Sequence, residues 1–311
     1  MSILNYKNCE VSGANTGYGD CFIDLKNIVG GVLVPVGRVY TALELATPAT
    51  LLEAIKADIL AAASLRAYPM GTYEALTDSS DAPTKATLGY GRVAITREGF
   101  YNLSFQFIDG GLCLSNALRK FNTQNKAVIL WDANGVMAGY KVDDTLKGIP
   151  LTLFYQNPLK LSDGSNPTAY VTDISFLKPY LNELIGFVQM NIGDLVALRG
   201  LQNIVLYETT GSNLPILKIK AKTGCNGFDL YDTYSAELAD DALWTAVNDN
   251  GEVIAITSVV VDATLKAWTV TVDSGDPNYP TSGGVLIGLA SALDLFNAGI
   301  EGFEGIPVLT L

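Results

Sequence analysis

The sequence predicts a mainly β chain of α+β type. It is read as a β-sandwich or barrel core domain over residues 1–198 that packs one amphipathic helix, followed by a β-sandwich over 199–311. Three observations carry this. Short apolar runs with period-two alternation, separated by turn residues, recur along most of the 311 residues. One stretch, 48–67, instead repeats apolar residues at helical spacing. Charge also divides the chain, since residues 1–198 hold 15 basic and 18 acidic groups (−3) and residues 199–311 hold 5 and 14 (−9).

The first forty residues read as an extended arm. Gly13, Gly17 and Gly19 punctuate one loop, and 22–25 and 32–36 read as strands. Such an arm gains stability only by lying against its own chain or a neighbour. Thr47 is placed to cap a helix over 48–67, with Pro48 at the first helical position, where its missing N–H costs nothing. Leu52, Ile55, Ile59 and Ala62 or Ala63 form its apolar stripe, and Tyr68-Pro69-Met70-Gly71 stops it. A polar loop over 77–85 leads to strands over 90–96 and 101–108, then a short helix over 112–121. Strands over 127–131 and 136–142 flank Asn134-Gly135, a signal for a type I′ hairpin turn. A strand over 151–155, a turn over 163–167, a strand over 170–174 and a short helix over 177–186, with Pro179 in its first turn, complete the first part.

Short strands follow over 203–208, 215–222, 253–256, 259–262, 267–272, 284–289 and 306–311, with a second hairpin turn at Asp249-Asn250-Gly251. Trp268, Val270 and Val272 share one face. That spacing is immunoglobulin-like in architecture, without the Cys–Trp–Cys pattern of a true immunoglobulin domain.

Composition narrows function. Histidine is absent, which excludes His-based triads, His general bases and His-ligated metals. A net charge of −12 is the opposite of the cationic footprint that a generic nucleic-acid binder needs. No secretory signal is visible at the N-terminus, and the most apolar stretch, 28–36, is half a membrane span broken by Gly30, Gly31 and Pro35, so no membrane partner is expected. The four cysteines, Cys9, Cys21, Cys113 and Cys225, are widely spaced and read as reduced cytosolic thiols; the alternative pairs Cys9 with Cys21, or one of them with a neighbouring chain.

Gly17-Tyr18-Gly19 and Gly89-Tyr90-Gly91 lack the third glycine of a dinucleotide fingerprint. Asp143-Asp144, Asp240-Asp241 and Asp78 with Asp81 are read as solvated turn acids. So is Asp132, whose Asp-Ala-Asn-Gly run opens like a calcium loop but lacks the later bidentate Glu. Neither a nucleophile elbow nor an S-x-x-K dyad occurs. Tyr101, Phe105, Phe107, Trp131 and Tyr140 lack interleaved cations and are read as core. No catalytic, cofactor-binding or metal-binding residue is therefore expected, and the chain is not expected to be an enzyme.

Several segments carry a family resemblance. They are the amino-terminal cysteine pair followed by 28–36, AVILWDANGVMAG at 127–139, GIPLTLFY at 148–155, and 293–311. With these the chain resembles virion structural proteins of tailed bacteriophages that infect Bacteroidetes, most of all a major tail tube protein with an Ig-like domain appended. The resemblance implies a homo-oligomer, hexameric rings stacked into a tube, and DNA passing through the lumen without specific binding. It implies other virion proteins as partners, no cofactor, and a place in the virion after synthesis in the host bacterial cytoplasm. A tube lining is often acidic, and here it would draw on the 18 carboxylates of the first part. The amino-terminal arm or the 77–85 loop is expected to join subunits. The alternatives are a capsid or capsid-decoration protein of a phage head and, in another class, a carbohydrate-binding or depolymerising virion protein.

Overall fold

A computed structural model describes residues 25, 27–108, 110–162, 168–182, 184–225, 227–280 and 284–305. The chain is mainly β and divides into two units, Met1–Arg199 and Gly200–Leu311.

The first unit runs β1 (Ile28–Val34), β2 (Val39–Tyr40), α1 (Pro48–Leu60), β3 (Tyr68–Thr72), β4 (Ala75–Asp78), β5 (Thr84–Thr87), β6 (Val93–Arg97), β7 (Phe100–Phe107) and α2 (Gly111–Arg119). It continues with β8 (Ala127–Asp132), β9 (Val136–Val142), β10 (Thr145–Lys147), β11 (Ile149–Pro150), β12 (Leu153–Gln156), β13 (Tyr170–Leu177), α3 (Pro179–Asn182), β14 (Ile185–Gln189) and α4 (Ile192–Ala197). One antiparallel sheet is ordered β2-β10-β9-β8-β1-β3, with β11 also on β8 and β14 on β9; a second is ordered β12-β13-β7-β4. Leu33, Leu130 and Ile149 of the first sheet share a dry core with Phe105, Phe154 and Phe176 of the second. Each side chain withdrawn into that core contributes about 1.5–3 kcal/mol.

Helix α1 starts where the sequence places it. Thr47 Oγ1 accepts from the Thr50 N–H at 3.1 Å, and Thr50 Oγ1 accepts from the Thr47 N–H at 3.0 Å. It stops at Leu60, well short of 67, because the chain folds back to satisfy its last carbonyls. The Ala67 N–H donates to the Asp58 carbonyl at 3.0 Å and Arg66 Nε donates to the Ala61 carbonyl at 2.8 Å. The buried stripe is Leu51, Ile55 and Ile59, one position from the expected Leu52.

The second unit holds β15 (Gln202–Glu208), β16 (Ile216–Thr223), α5 (Tyr231–Tyr234), β17 (Trp244–Asn248), β18 (Val253–Ile254), β19 (Ile256–Asp262), β20 (Ala267–Val272), β21 (Val285–Leu289), α6 (Ala292–Asn297) and β22 (Phe303–Gly305). A sheet ordered β19-β20-β16-β15-β22 and a sheet ordered β18-β17-β21 enclose one core around Trp268, Val270, Ile219, Trp244 and Ile287. The Trp244 indole N–H donates to the Leu238 carbonyl at 2.8 Å and that of Trp268 to the Ser235 carbonyl at 3.1 Å, so neither ring buries an unpaired donor.

Four expectations are corrected. The 77–85 loop shrinks to 79–83, since β4 takes 77–78 and β5 begins at Thr84. The 177–186 helix is the short α3, followed by strand β14. Strand β17 is not among the expected strands, although it pairs with β21 over Trp244↔Leu289 to Asn248↔Val285. The Asn134-Gly135 turn is not type I′, because only Gly135 has positive φ (80°). Instead Asp132 Oδ1 accepts from the N–H groups of Asn134 and Val136, both at 2.8 Å, which fixes the turn by a side chain. The second unit repeats the device: Asn248 Oδ1 accepts from the Asn250 N–H at 2.9 Å and the Glu252 N–H at 3.0 Å, with Gly251 at φ 82°.

The amino-terminal loop with Gly13, Gly17 and Gly19, the 163–167 turn and the 306–311 strand lie outside the described residues.

Candidate interaction surface

Strands β4 and β7 leave the four-stranded sheet together and continue as a ribbon. The pairing runs from Ala75↔Gln106 to Asp78↔Leu103 and holds the same register as far as Thr84↔Arg97. After one bulge it resumes as Lys85↔Ile95, Ala86↔Ala94 and Thr87↔Val93. Among the described residues the distal half, β5 with β6, pairs with no third strand. A two-stranded ribbon is marginally stable in water by itself.

The root is held firmly. The Asp81 N–H donates to the Phe100 carbonyl at 3.1 Å, the Ser79 N–H donates to the Asn102 carbonyl at 2.9 Å, and Lys178 Nζ donates to the Asp81 carbonyl at 2.5 Å. The Arg97 guanidinium pairs with the Asp81 carboxylate at 3.4 Å. Gly99 is packed so closely that a Cβ there would stand 2.2 Å from the Asp81 carbonyl oxygen. Asp78 accepts hydrogen bonds from the Ser80 hydroxyl and, at 2.9 Å, from the Ser80 N–H. Those bonds hold its carboxyl below the ordinary carboxylate range, with Lys178 adding a smaller pull.

Beyond the root, apolar surface is left in water. Val93 and Ile95 stand on one face of the ribbon, 56% and 57% exposed, with Leu88 and a fully exposed Tyr90 at the tip. Tyr90 holds φ 68°, a left-handed conformation that costs a non-glycine residue about 1–2 kcal/mol and here returns no burial within the chain. Residues 84–97 carry Lys85, Arg92 and Arg97 and no carboxylate, against a net −12 for the chain. The ribbon is thus a basic, apolar projection on an acidic protein.

The other sequence candidates resolve individually. Asp143 and Asp144 sit exposed in the β9–β10 turn, and Asp240 caps a short turn by accepting from the Ala242 N–H at 3.0 Å, with Asp241 exposed beside it. Asp132 is not solvated but wholly buried, its carboxylate engaged by backbone N–H groups, and this accounts for its calcium-loop appearance. Among the described residues no cluster of three or more Cys, Asp or Glu side chains is arranged to hold a metal. Phe105, Phe107 and Trp131 are core residues and Tyr101 and Tyr140 pack at its margin. The expectation of reduced thiols is overturned at two positions, since Cys113 and Cys225 are each disulfide-bonded. Sequence spacing carries no trace of this because folding, not chain distance, sets which sulfurs meet. Cys9 and Cys21 lie outside the described residues.

Reasoning from sequence missed the ribbon because its alternating Val93 and Ile95 look like ordinary core positions. The available signal was Leu88-Gly89-Tyr90-Gly91 between two short β-prone runs, a tip with nothing apolar beside it to pack on. Among the described residues no helix is long and apolar enough to cross a membrane. No family model, curated protein or solved structure matches the chain.

Proposed function

We propose that this chain is a structural subunit of a phage virion whose copies associate with one another, as stacked rings of a tail tube that conducts DNA. The projecting ribbon is the observation that supports it. A solvent-exposed Val, Ile, Leu and Tyr set on an unsupported two-stranded arm is a surface that gains by being covered. Val93, Ile95 and Leu88 are each about half covered already, so burying the rest of each is worth about 1 kcal/mol. The resemblance at 127–139 and 148–155 supplies the virion setting, in which a lumen that lets DNA slide would draw its lining from among the 18 carboxylates of residues 1–198.

The test is electron microscopy of the purified protein beside sedimentation velocity over a range of concentrations. Rings or tubes are expected. Closed shells, or decoration of a phage head, would favour the capsid alternative. Compact monomers at every concentration would sink the assembly reading.

A further inference from the structure

We infer that the seat for the ribbon is the outer face of helix α6 on a second copy of the chain. This rests on the self-assembly reading and adds the partner surface to it.

The donor side is defined by chemistry. One face of the ribbon offers Val93 and Ile95 beside Thr87 and Lys85, and Arg92 follows the tip. Lys85 and Arg92 enter no ion pair among the described residues, whereas Arg97 is held by Asp81. The seat must therefore present apolar side chains together with negative charge.

Helix α6 does both. Its inner side is buried through Ala292 and Leu295. Its outer side leaves Leu293 50% and Phe296 39% exposed, one turn apart, and the neighbouring Asp294 is exposed as well. Glu301 follows shortly after the helix, and residues 200–311 hold 4 lysines against 14 carboxylates, a net −10. An apolar pair in an acidic unit complements an apolar pair accompanied by two cations, and complementarity of this kind fixes register and excludes wrong partners.

The two halves of the contact differ, so each copy carries one ribbon and one seat. A contact between unlike surfaces closes into a ring or runs on as a filament, according to its rotation.

The experiment uses two full-length variants. One has a disabled ribbon (Lys85→Glu, Arg92→Glu, Ile95→Ser) and the other a disabled seat (Leu293→Ser, Phe296→Ser). Circular dichroism verifies that both are folded. Each alone is expected to sediment as a monomer, and an equimolar mixture to give a one-to-one pair and nothing larger, because one intact ribbon then meets one intact seat. Three results overturn the inference: a seat variant that assembles like the wild type, a mixture that stays monomeric, and a mixture that grows beyond the pair. If the ribbon variant stays monomeric while the seat variant assembles, self-assembly stands and α6 is the wrong seat. A wild-type protein that remains monomeric but floats with anionic phosphatidylglycerol vesicles gives the ribbon a lipid partner, which removes both the seat and the assembly reading.

Discussion

Arg38 and Asp58 meet Nε to Oδ2 at 2.7 Å, and this contact ties the approach to β2 onto helix α1. The same guanidinium donates to Glu44 at 2.6 Å and to the Val39 carbonyl at 2.7 Å, and lies 4.3 Å over the Tyr40 ring. The buried Tyr40 hydroxyl donates to the same Asp58 oxygen at 2.9 Å. Burial, with the Asp58 carboxylate beside it, holds that phenol protonated far above its ordinary range. Asp58→Ala removes two donors' shared acceptor and is expected to cost about 2–3 kcal/mol, while Tyr40→Phe costs about 1 kcal/mol. Urea denaturation reads both; an Asp58→Ala midpoint equal to that of the wild type would refute the latch.

Acid should weaken the same latch. Burial works against the Glu44 charge, but hydrogen bonds from Arg38 and Thr41 outweigh it and hold the carboxyl below the ordinary carboxylate range. Stability from this group is fully present above the unfolded-state value and is lost as pH falls through the lower folded-state value. Thermal unfolding of Glu44→Gln and wild type between pH 3 and pH 7 checks it: the two curves should converge at the acid end. A constant gap across that window would count against the assignment.

The paired turn devices give a contrast between glycines. Asp132→Ala and Asn248→Ala each strand two backbone N–H groups, at an expected cost of about 2–3 kcal/mol. Gly251→Ala has open space and meets only the left-handed backbone penalty, about 1 kcal/mol. Gly135→Ala also drives a Cβ to 2.3 Å from the Met190 carbonyl oxygen and should cost distinctly more. Differential scanning calorimetry separates them, and equal losses at the two glycines would show the packing argument to be wrong. Added calcium should leave the melting temperature unchanged, as the Asp132 carboxylate is already engaged by its own turn.

At the ribbon root, Gly99→Ala should displace the Asp81 carbonyl and loosen the arm while the cores stay intact. Limited trypsin digestion is the readout, with faster cleavage after Lys85, Arg92 or Arg97 and little change in melting temperature. Unchanged cleavage would mean that Gly99 does not set the root.

Elements with their own complete signal were legible in the sequence. β20 alternates Trp268, Val270 and Val272 inward against two threonines, and the Thr47-Pro48 start of α1 announces its own cap. What stayed hidden depends on partners remote in the chain. The Ala-rich run after Leu60 suits a helix by propensity, yet Ala67 and Arg66 turn back onto its end. The apolar run of β14 is too short to tell strand from helix until β9 lies beside it. Asp132 reads as a surface acid because nothing local reveals that β1 and β9 will enclose it. The ribbon is the converse case, with a strand-like pattern that faces no core of its own.

The pairing of β5 with β6 makes the geometry of the ribbon digital. Strands advance about 3.3 Å per residue and reverse side-chain direction at each step. Adding one residue to each strand at the root would carry Val93 and Ile95 to the opposite side of the arm. Adding two residues to each strand would preserve their direction and lengthen the arm by about 7 Å. In any assembly built through it, the arm is a molecular ruler: odd changes in its length reverse its handed face, and even ones stretch the repeat.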